Sequence, residues 1–385
     1  MVVAISISVI FCIAYCVLII IYYLAWKSIP EFVVPKMEDR TQVSVIIPAR
    51  NEASNIINCL TSLKNQTYSK GRYEVILVDD HSTDNTWDLM QRFPNEEMRY
   101  RKIKLSDHMA DSVQTIAFKK KAIQTGIEQA AGELIITSDA DCTFEKNWLE
   151  TMVGFYQTTQ AQFIAAPVKI TGKYNLLTLF QTLDFLTMQG ITAGSVFKKF
   201  HSMCNGANLA YEKKIFFEVG GFRGIDHIPS GDDMMLMHKI FVIHPDGVLF
   251  LKNKQAIVST HAEKDWSAFF NQRIRWASKA DLYDEKGIFW ILLLVYFFNL
   301  LFLVLAVASF WNYRYLIILL SLLIAKTLIE FPFVASVASF FDQQGMMFYF
   351  PFLQPLHIMY IIFSGWMGKF GTYQWKSRKV KRSHG

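Results

Sequence analysis

Two long apolar blocks, one at each end of the chain, limit the folds that this sequence can adopt. Residues 2–26 carry no charged side chain, and a helix of that length crosses the roughly 30 Å hydrocarbon layer of a bilayer. A secretory signal peptide is the alternative, but its basic start and small-residue cleavage site are missing. Tyr22, Tyr23 and Trp26 match the aromatic belt of a spanning helix. We therefore predict a transmembrane helix over residues 1–27.

Three further apolar segments fill the C-terminal quarter of the chain. They cover residues 288–311, 315–341 and 346–368. We group them as a transmembrane helical region over residues 286–371. Lys326 and Glu330 interrupt the second segment four positions apart, so they can pair on one helix face, either as a buried structural ion pair or as a contact for substrate.

Basic residues set the expected orientation in the membrane. Lys27 and Lys36 follow the first apolar helix and nothing basic precedes it, so the positive-inside rule places the N-terminus outside and the catalytic part in the cytoplasm of a plasma (inner) membrane. The tail over residues 372–385 is basic between Lys376 and Arg382 and is predicted to be cytoplasmic. Three full C-terminal crossings would end outside, so we expect one segment to be re-entrant, interfacial or a double pass.

The middle of the chain, residues 41–285, has the pattern of a cytoplasmic α/β domain. Short β-branched runs alternate there with amphipathic helical patterns, which is typical of a mostly parallel sheet. The runs are Val43–Ile47, Val75–Val78, Leu134–Thr137 and Phe163–Val168. Within this range, residues 174–197 are apolar apart from Asp184, and we expect either a helix at the bilayer surface or a core helix of this domain.

Charge and cysteine content exclude other classes of protein. The 385 residues carry a formal net charge of +6, which suits a membrane with anionic lipids and is too small to argue for a nucleic-acid partner. The five cysteines are scattered without a CxxC pair or zinc-ligand spacing. We therefore expect reduced thiols in a protein that faces the cytosol.

The first two β-branched runs lead into residues suited to a nucleotide. The loop after the first run contains Pro48, Ala49, Arg50 and Glu52. The second run ends in Asp79 and Asp80, followed by a Ser/Thr/Asp-rich turn that can equally cap the next helix. Ligands of open α/β sheets collect at the carboxyl ends of strands, so both places are candidate nucleotide contacts.

The third run ends in Asp139-Ala140-Asp141. Residues i and i+2 of an extended chain point the same way, so the two carboxylates can converge on one group. Hard cations such as Mg²⁺ or Mn²⁺ take oxygen ligands and bridge protein carboxylates to a diphosphate. A solvated acidic turn is the alternative. The sequence has no G-x-x-x-x-G-K-[ST] loop and no G-x-G-x-x-G after a strand, so other nucleotide-binding folds gain no support.

In chain order, the motifs resemble those of the family 2 inverting glycosyltransferases. They read IPARNE, VDDHSTD, KKKAI, SDAD, NGANLAYEKKIFFEVGGF, GDD and QRIRW. The resemblance covers roughly residues 43–280, and the flanking apolar helices point to the membrane-bound branch with ceramide glucosyltransferases and polysaccharide synthases. It implies an α/β fold of the GT-A type, with a mostly parallel sheet and transmembrane helices at both ends.

The resemblance also implies roles on the donor side. The residues around the donor base and ribose would be Pro48, Ala49, Arg50, Glu52, Asp79 and Asp80. Lys119 would approach the nucleotide or its phosphates. Phe118 stands where the family often has glycine, so Lys120 and Lys121 remain open as alternatives for that lysine.

Further roles concern the cation and the acceptor. Asp139 and Asp141 would hold the sugar nucleotide and a divalent cation, Mg²⁺ or Mn²⁺. Asp233 matches the general base of such enzymes, and with a close Asp232 it would titrate as one coupled unit. The residues that would line the acceptor and diphosphate side are Gln272, Arg275 and Trp276.

The chemistry of glycosyl transfer asks for the same residue types. Negative charge accumulates on the departing diphosphate, so a metal at Asp141 and the cation of Arg275 would stabilise the transition state. A hydroxyl acceptor needs a carboxylate to take its proton, which is typically a factor of about 10²–10⁴ in rate. A lipid phosphate acceptor would need no such base, so the presence of Asp233 favours a hydroxyl acceptor.

We therefore expect a membrane-anchored inverting glycosyltransferase that uses a nucleotide-diphosphate sugar, foremost a UDP-sugar, and a divalent cation. Its acceptor would be a hydroxyl of a lipid-linked compound or a glycan, reached from the surface of membrane lipids, and no nucleic acid would be a partner. A processive polysaccharide synthase is the alternative among enzymes. An inactive membrane scaffold that binds a sugar nucleotide is the alternative outside them.

Overall fold

The computed structural model describes residues 2–35, 41–94, 99–109, 117–278, 286–370, 373–375 and 378–380. The chain divides into two compact units. The α/β unit comprises Pro30–Thr171 and Ser202–His261, and the helical unit comprises Met1–Ile29, Gly172–His201 and Ala262–Gly385. Lys36 and most of the basic tail lie outside the described residues. The orientation and the domain boundaries expected from the sequence therefore stay predictions.

The α/β unit is built on a seven-stranded sheet of order β3-β2-β1-β4-β8-β6-β9. The strands of the unit are β1 Val43–Ala49, β2 Tyr73–Asp79, β3 Arg99–Lys104, β4 Leu134–Thr137, β5 Thr143–Phe144, β6 Phe163–Ala165, β7 Val168–Thr171, β8 Leu209–Glu212, β9 Val248–Phe250 and β10 Val258–His261. β3, β2, β1 and β4 run parallel, whereas β8 is antiparallel to both of its neighbours. β5, β10 and β7 form a second, three-stranded sheet. The predicted α/β class with a mostly parallel sheet is confirmed.

One predicted strand is divided in the structure. The run Phe163–Val168 contributes β6 to the large sheet and begins β7 of the small one. Pro167 lies between the two strands, and proline has no backbone N–H to donate to a sheet ladder. The break at Pro167 therefore lets the chain pass from one sheet to the other.

Helices cover the parallel strands, whose apolar runs are buried. The helices of the unit are α2 Ile56–Lys64, α3 Thr86–Arg92, α4 Phe118–Gln129, α5 Trp148–Thr159, α7 Lys213–Glu218 and α8 Asp232–Ile243. α4 packs on β1 and β2. Ile46 and Val78 have no exposed surface, and an ideal Cβ at Gly126 of α4 would lie 2.6 Å from Ile46 Cγ2. Continuous β-branched runs suit strands that are covered on both faces.

The helical unit contains the long apolar helices. Its helices are α1 Val2–Ser28, α6 Leu176–Lys198, α9 Trp266–Ala277, α10 Lys286–Ala308, α11 Arg314–Phe340 and α12 Phe350–Phe370, and a short hairpin is formed by β11 Tyr373–Trp375 and β12 Arg378–Val380. Within the described residues, four helices are long and apolar enough to cross a membrane. They cover Val2–Ser28, Gly287–Ala308, Arg314–Phe340 and Gln344–Lys369.

The segment at residues 174–197 forms α6, a largely buried helix of the helical unit. It packs against α1 and α11, so it is not a core helix of the α/β unit. Two glycines allow this close approach. An ideal Cβ at Gly190 would lie 2.6 Å from Val337 Cγ2, and one at Gly194 would lie 3.1 Å from Ala25 Cβ.

A buried polar network joins three of the apolar helices. Lys326 of α11 donates to Glu330 (2.7 Å) and to Gln354 of α12 (2.7 Å), and Gln354 donates back to the Glu330 carboxylate (2.6 Å). The Tyr15 hydroxyl of α1 donates to the same carboxylate. The spacing of Lys326 and Glu330 thus forms the expected ion pair, and its polar atoms are satisfied by side chains from neighbouring helices.

Removing one charge of the Lys326–Glu330 pair should destabilise the helical unit more than removing both charges. Lys326→Met leaves the Glu330 carboxylate buried without its cation, which typically costs about 3–5 kcal/mol. Lys326→Met combined with Glu330→Gln removes both charges, so we expect a higher midpoint of thermal unfolding in detergent than for the single variant. A double variant less stable than Lys326→Met would contradict this account of the network.

Candidate active site

The candidate nucleotide residues lie at one edge of the seven-stranded sheet. β2, β1 and β4 are parallel neighbours, so their carboxyl ends meet at the same edge, about 4.8 Å apart from strand to strand. Arg50 follows β1, Asp80 follows β2 and Asp139 lies two residues beyond β4. The sheet topology therefore brings these three residues to one edge, although they are far apart in the sequence.

Arg50 connects the loop after β1 to the turn after β2. Its guanidinium donates to the backbone carbonyls of Asp80 (2.7 Å) and His81 (3.0 Å). The Asp80 carboxylate lies 3.0 Å from His81 Nδ1 and 3.9 Å from Arg50 Nη1. Pro48 and Ala49 end β1 opposite residues of β2. The predicted nucleotide residues of the two strands thus form one connected wall.

Two residues of this wall have left-handed backbone conformations. Asn51 (φ 51°) and His81 (φ 53°) lie in this region, where residues other than glycine are uncommon, although asparagine and histidine are enriched there. The Asn51 side chain accepts a hydrogen bond from the Thr83 backbone N–H (2.8 Å), and its own N–H donates to Ser82 Oγ (3.1 Å). Left-handed residues other than glycine cluster at functional sites, where the surrounding structure holds them in place.

Glu52 and Asp79 are buried carboxylates beside the same wall. The Glu52 backbone N–H donates to Thr86 Oγ1 (2.7 Å), and its carboxylate accepts from Asn55 Nδ2 (2.8 Å). Asp79 Oδ2 accepts from the Ser82 N–H (3.3 Å), whereas its Oδ1 is buried and has no hydrogen-bond partner in the described part of the chain. A buried acceptor without a partner costs about 1–3 kcal/mol. Asp79 Oδ1 can therefore accept an N–H or O–H group of a bound ligand.

Lys119 joins two acidic segments that are distant in the chain. Its ammonium lies 2.7 Å from Asp139 Oδ1, after β4, and 3.4 Å from Asp232 Oδ2, the first residue of α8. Burial by itself lowers the pKa of Lys119, but the charges of Asp139, Asp232 and Asp233 outweigh burial and hold this pKa above its ordinary value. Lys119 therefore stays charged among the carboxylates.

Asp233 lies beside this cluster at the N-terminus of α8. Its Oδ2 accepts a hydrogen bond from the Gly206 N–H (3.0 Å) and its Oδ1 from the Met234 N–H (2.8 Å). An ideal Cβ at Gly206 would lie 3.3 Å from Asp233 Oδ2 and 3.6 Å from Lys119 Nζ. Gly231, just before the helix, has φ +78°, a conformation that glycine adopts without penalty. Gly206 and Gly231 thus let the backbone pass close to the carboxylates.

Asp139 and Asp141 carry carboxylate oxygens of the kind that hard cations prefer. The Asp139 side chain is 35% exposed, and Asp141 Oδ1 accepts a weak hydrogen bond from Cys142 Sγ (3.5 Å). Across the described residues, no group of three or more His, Cys, Asp or Glu is arranged to hold a metal. Two carboxylates nevertheless fit Mg²⁺ or Mn²⁺, because such cations fill their remaining positions with water and substrate phosphate oxygens.

The buried thiols near this cluster are not nucleophiles. Burial raises the pKa of Cys59, and the charges of Asp141, Glu52 and Asp139 raise it further. Burial together with the charge of Asp141 also raises the pKa of Cys142. Because the thiolate is the reactive form of cysteine, both side chains stay protonated and inert.

The QRIRW motif lies on α9, in the helical unit. Gln272 Nε2 donates to Glu263 Oε1 (2.7 Å), and Gln272 Oε1 accepts from Arg273 Nη1 (2.8 Å). Arg275 and Trp276 are both half-buried. The parts that Gln272, Arg275 and Trp276 play in binding remain predictions.

Arg273 holds α9 to α6. Its guanidinium donates to Asp184 Oδ2 (Nε 3.0 Å) and lies 4.2 Å from the centre of the Trp276 ring. The Asp184 carboxylate also lies 3.6 Å from His357 Nε2 of α12. Burial alone raises the pKa of Asp184, but the charge of Arg273 lowers it below its usual range. Arg273 is therefore a structural member of the motif.

Several contacts were not predicted from the sequence. Asp232 pairs with Lys119, Gly206 donates to Asp233, and Asp184 pairs with Arg273. One signal was present, since Asp184 is the sole charge in a long apolar stretch and a buried charge demands a partner. The structure also distinguishes Lys119 from Lys120. Lys119 contacts carboxylates, whereas Lys120 contacts backbone carbonyls.

Residues 44–226 match the model of the family described as Glycosyl transferase family 2. The match covers just under half of the chain. The matched range includes Asp80, Asp139 and Asp141 and ends before Asp233.

Among curated proteins, the chain is 31% identical over 192 residues to "Glycosyltransferase AglE" of Haloferax volcanii, covering 50% of this chain and 59% of that protein. It is 26% identical over 271 residues to a Methanococcus voltae protein, covering 69% of this chain and 80% of that one. That protein is named dolichyl N-acetyl-alpha-D-glucosaminyl phosphate 3-beta-D-2,3-diacetamido-2,3-dideoxy-beta-D-glucuronosyltransferase. The chain spans less than two thirds of the length of the first curated relatives that it matches.

A solved structure shares the fold. Mannosyltransferase PcManGT from Pyrobaculum calidifontis, in complex with GDP-Man and Mn²⁺, aligns with a TM-score of 0.55 at 18% sequence identity. The alignment covers 92% of this chain and 99% of that chain. The expected α/β fold of the GT-A type, with apolar helices at both ends, is thereby confirmed.

Asp84 connects the loop after β1 to the turn after β2, and we expect its removal to weaken this connection. Its carboxylate accepts hydrogen bonds from the Thr86 N–H (3.0 Å) and the Ala53 N–H (3.1 Å). Burial raises the pKa of Asp84, but the hydrogen bonds to its carboxylate together outweigh burial and lower the pKa. Asp84→Ala should cost about 1 kcal/mol of stability near neutral pH, as the loss of a capping side chain does.

The pH dependence of this loss follows from the depressed pKa. The stabilisation is complete above the unfolded pKa of about 3.9 and is lost as pH falls through the lower folded pKa. Thermal unfolding of wild type and Asp84→Ala should therefore differ at pH 7 and converge under strongly acidic conditions. An equal difference throughout the acid range would show that the Asp84 charge is irrelevant.

Proposed function

We propose that this protein is a membrane-anchored inverting glycosyltransferase that moves a sugar from a nucleotide-diphosphate donor to a hydroxyl of a lipid-linked or glycan acceptor. One observation carries the proposal: Asp139, Asp232 and Asp233 converge around Lys119 at the edge where the parallel strands end. The family match over residues 44–226 supports the same chemistry. Membership of the branch with ceramide glucosyltransferases is part of the proposal.

Asp233 is the proposed general base. The hydrogen bonds from Gly206 and Met234 fix the orientation of its carboxylate. Asp233 takes the proton of the acceptor hydroxyl while that oxygen bonds to the anomeric carbon on the face opposite the leaving group. The bond from this carbon to the diphosphate oxygen breaks, and the anomeric configuration inverts. Such a base typically contributes a factor of about 10²–10⁴ in rate.

Lys119 and the Asp139-Ala140-Asp141 turn form the proposed diphosphate side. Lys119 is charged and already placed between carboxylates, so it is suited to attract the phosphate oxygens of the donor. Asp139 and Asp141 would hold Mg²⁺ or Mn²⁺. When bound there, such a cation would neutralise the charge that develops on the departing diphosphate.

The wall formed by the loops after β1 and β2 is the proposed site of the donor base and ribose. The residues assigned to it are Pro48, Ala49, Arg50, Glu52, Asp79 and Asp80. Its best-placed acceptor is the buried Oδ1 of Asp79, which lacks a protein partner in the described residues and suits an N–H or hydroxyl of a nucleoside. A UDP-sugar is the proposed donor.

The acceptor side is assigned to α9 and the membrane. Gln272, Arg275 and Trp276 would line the acceptor and diphosphate. Four helices long and apolar enough to span a bilayer and the dolichyl phosphate in the name of the Methanococcus relative support a lipid-linked acceptor. We further propose a plasma-membrane protein with a cytoplasmic catalytic domain and an external N-terminus.

Asp233→Asn should abolish transfer while the donor still binds. The amide keeps the shape of the side chain and cannot take a proton, so turnover should fall by about 10²-fold or more. The measurement is sugar transfer by the purified protein in detergent, with thermal shift by a nucleoside diphosphate reporting donor binding. Asp246→Asn, at an exposed aspartate beyond α8, is the control. Near-normal turnover of Asp233→Asn would remove Asp233 from the mechanism.

Removal of divalent cations should stop transfer, and Mn²⁺ or Mg²⁺ should restore it. Asp141→Asn weakens the oxygen donor set, so the cation concentration for half-maximal activity should rise by about 10-fold or more. The readout is activity titrated with Mn²⁺ after treatment with EDTA. Full activity in EDTA would exclude a role for Asp139 and Asp141 as cation ligands.

The number of sugars added to one acceptor distinguishes the proposal from a processive synthase. A single addition supports the proposal, whereas a long polymer supports the synthase. Donor binding without any transfer or hydrolysis in the presence of Mn²⁺ or Mg²⁺ would instead support a sugar-nucleotide-binding scaffold.

A further inference from the structure

Lys120 is a buried lysine with an unusual set of partners. The residue is only 2% exposed. Its ammonium donates to three backbone carbonyls, those of Ile225 (2.7 Å), Ile228 (2.8 Å) and Ser230 (3.1 Å). An ammonium has three N–H donors, and all three are directed at one short loop.

This loop leads directly into the candidate base. Residues 219–231 connect α7 to α8, and Gly231, with φ +78°, is followed by Asp232 and Asp233. Its polar side chains Asp226 and His227 are each 68% exposed. Phe222 in the first half of the loop is buried against Phe216, whereas Lys120 supplies backbone contacts to the half that precedes Gly231.

A second lysine holds the other half of the same loop. Lys239 of α8 donates to the carbonyls of Gly221 (2.6 Å) and Arg223 (3.0 Å). The two lysines thus make the same kind of contact, but Lys239 acts at the end remote from Gly231. This pair offers a matched comparison within one loop.

Charged donors make stronger hydrogen bonds to carbonyls than neutral ones do. Removal of Lys120 would leave the carbonyls of Ile225, Ile228 and Ser230 without that charged donor, and the chain before Gly231 would shift as these carbonyls take other partners. Because Asp232 and Asp233 begin α8 right after Gly231, such a shift would move their carboxylates relative to Lys119.

We infer that Lys120 is a positioning residue for the general base: it anchors residues 225–230 by their carbonyls and so sets the place of Asp233. This inference rests on the proposed function. Lys119 and Lys120, which are consecutive at the start of α4, would then have separate roles. Lys119 neutralises the carboxylates, and Lys120 fixes the loop that presents them.

The test compares Lys120→Met with Lys239→Met and Lys120→Arg in the full-length protein. Lys120→Met should lower kcat by about 10- to 100-fold, the range expected for a misplaced catalytic group, while the affinity for a nucleoside diphosphate stays within about 3-fold. Lys120→Arg, which keeps several charged donors, should recover part of kcat. Lys239→Met removes an equivalent clamp remote from Asp233 and should keep kcat within about 3-fold of wild type.

Hydrogen exchange gives a readout that does not depend on activity. In Lys120→Met, the amides of residues 225–233 should exchange faster, whereas those of β1 and β2 should not change. Wild-type kcat in Lys120→Met, or an equal loss of kcat in Lys239→Met, would overturn the inference and leave the proposed function standing. A wild-type protein that transfers no sugar would overturn the proposed function itself.

Discussion

The ion pairs of Lys119 are the interaction on which the candidate site depends. Asp139, Asp232 and Asp233 come from the turn after β4 and from the first turn of α8, and without a cation their like charges would repel one another. Lys119, near the start of α4, lies 2.7 Å from Asp139 and 3.4 Å from Asp232. It thereby holds three separate elements together. A site that binds a diphosphate needs such a cation in any case, so the residue that stabilises the fold here is also suited to the donor.

Buried charge is compensated in a different way in each part of the molecule. Lys120 is surrounded by backbone carbonyls, Arg273 by the Asp184 carboxylate and aromatic rings, and Lys326 by Glu330 and Gln354. The desolvation of a cation is costly unless its hydrogen bonds are satisfied. These contacts therefore act less as sources of net stability than as constraints on which elements can pack side by side, since a different arrangement would leave a charge without a partner.

Much of the fold follows from local pattern. The β-branched runs predicted β1, β2 and β4 and most of the residues within them, and the apolar stretches predicted α1, α10, α11 and α12 to within a few residues. One predicted strand was wrong in its extent, and for one helix one of the two alternatives is excluded. Pro167 divides one predicted strand between two sheets, and residues 174–197 form a buried helix beside α1 and α11. Both outcomes depend on which neighbour covers a segment, and hydrophobic periodicity carries no information about the neighbour.

The sequence by itself determined the two apolar blocks, the α/β middle region, and the acidic residues at the strand ends, because chain length, periodicity and residue type are local properties. Only the tertiary structure decided which lysine meets the carboxylates and which meets the loop, that Asp184 pairs with Arg273, and that Gly206 donates to Asp233. Neighbouring lysines on a helix point in different directions, and both have partners in elements about a hundred residues away. Charge pairing of this kind is settled by the packing of helices and strands, which no local pattern records.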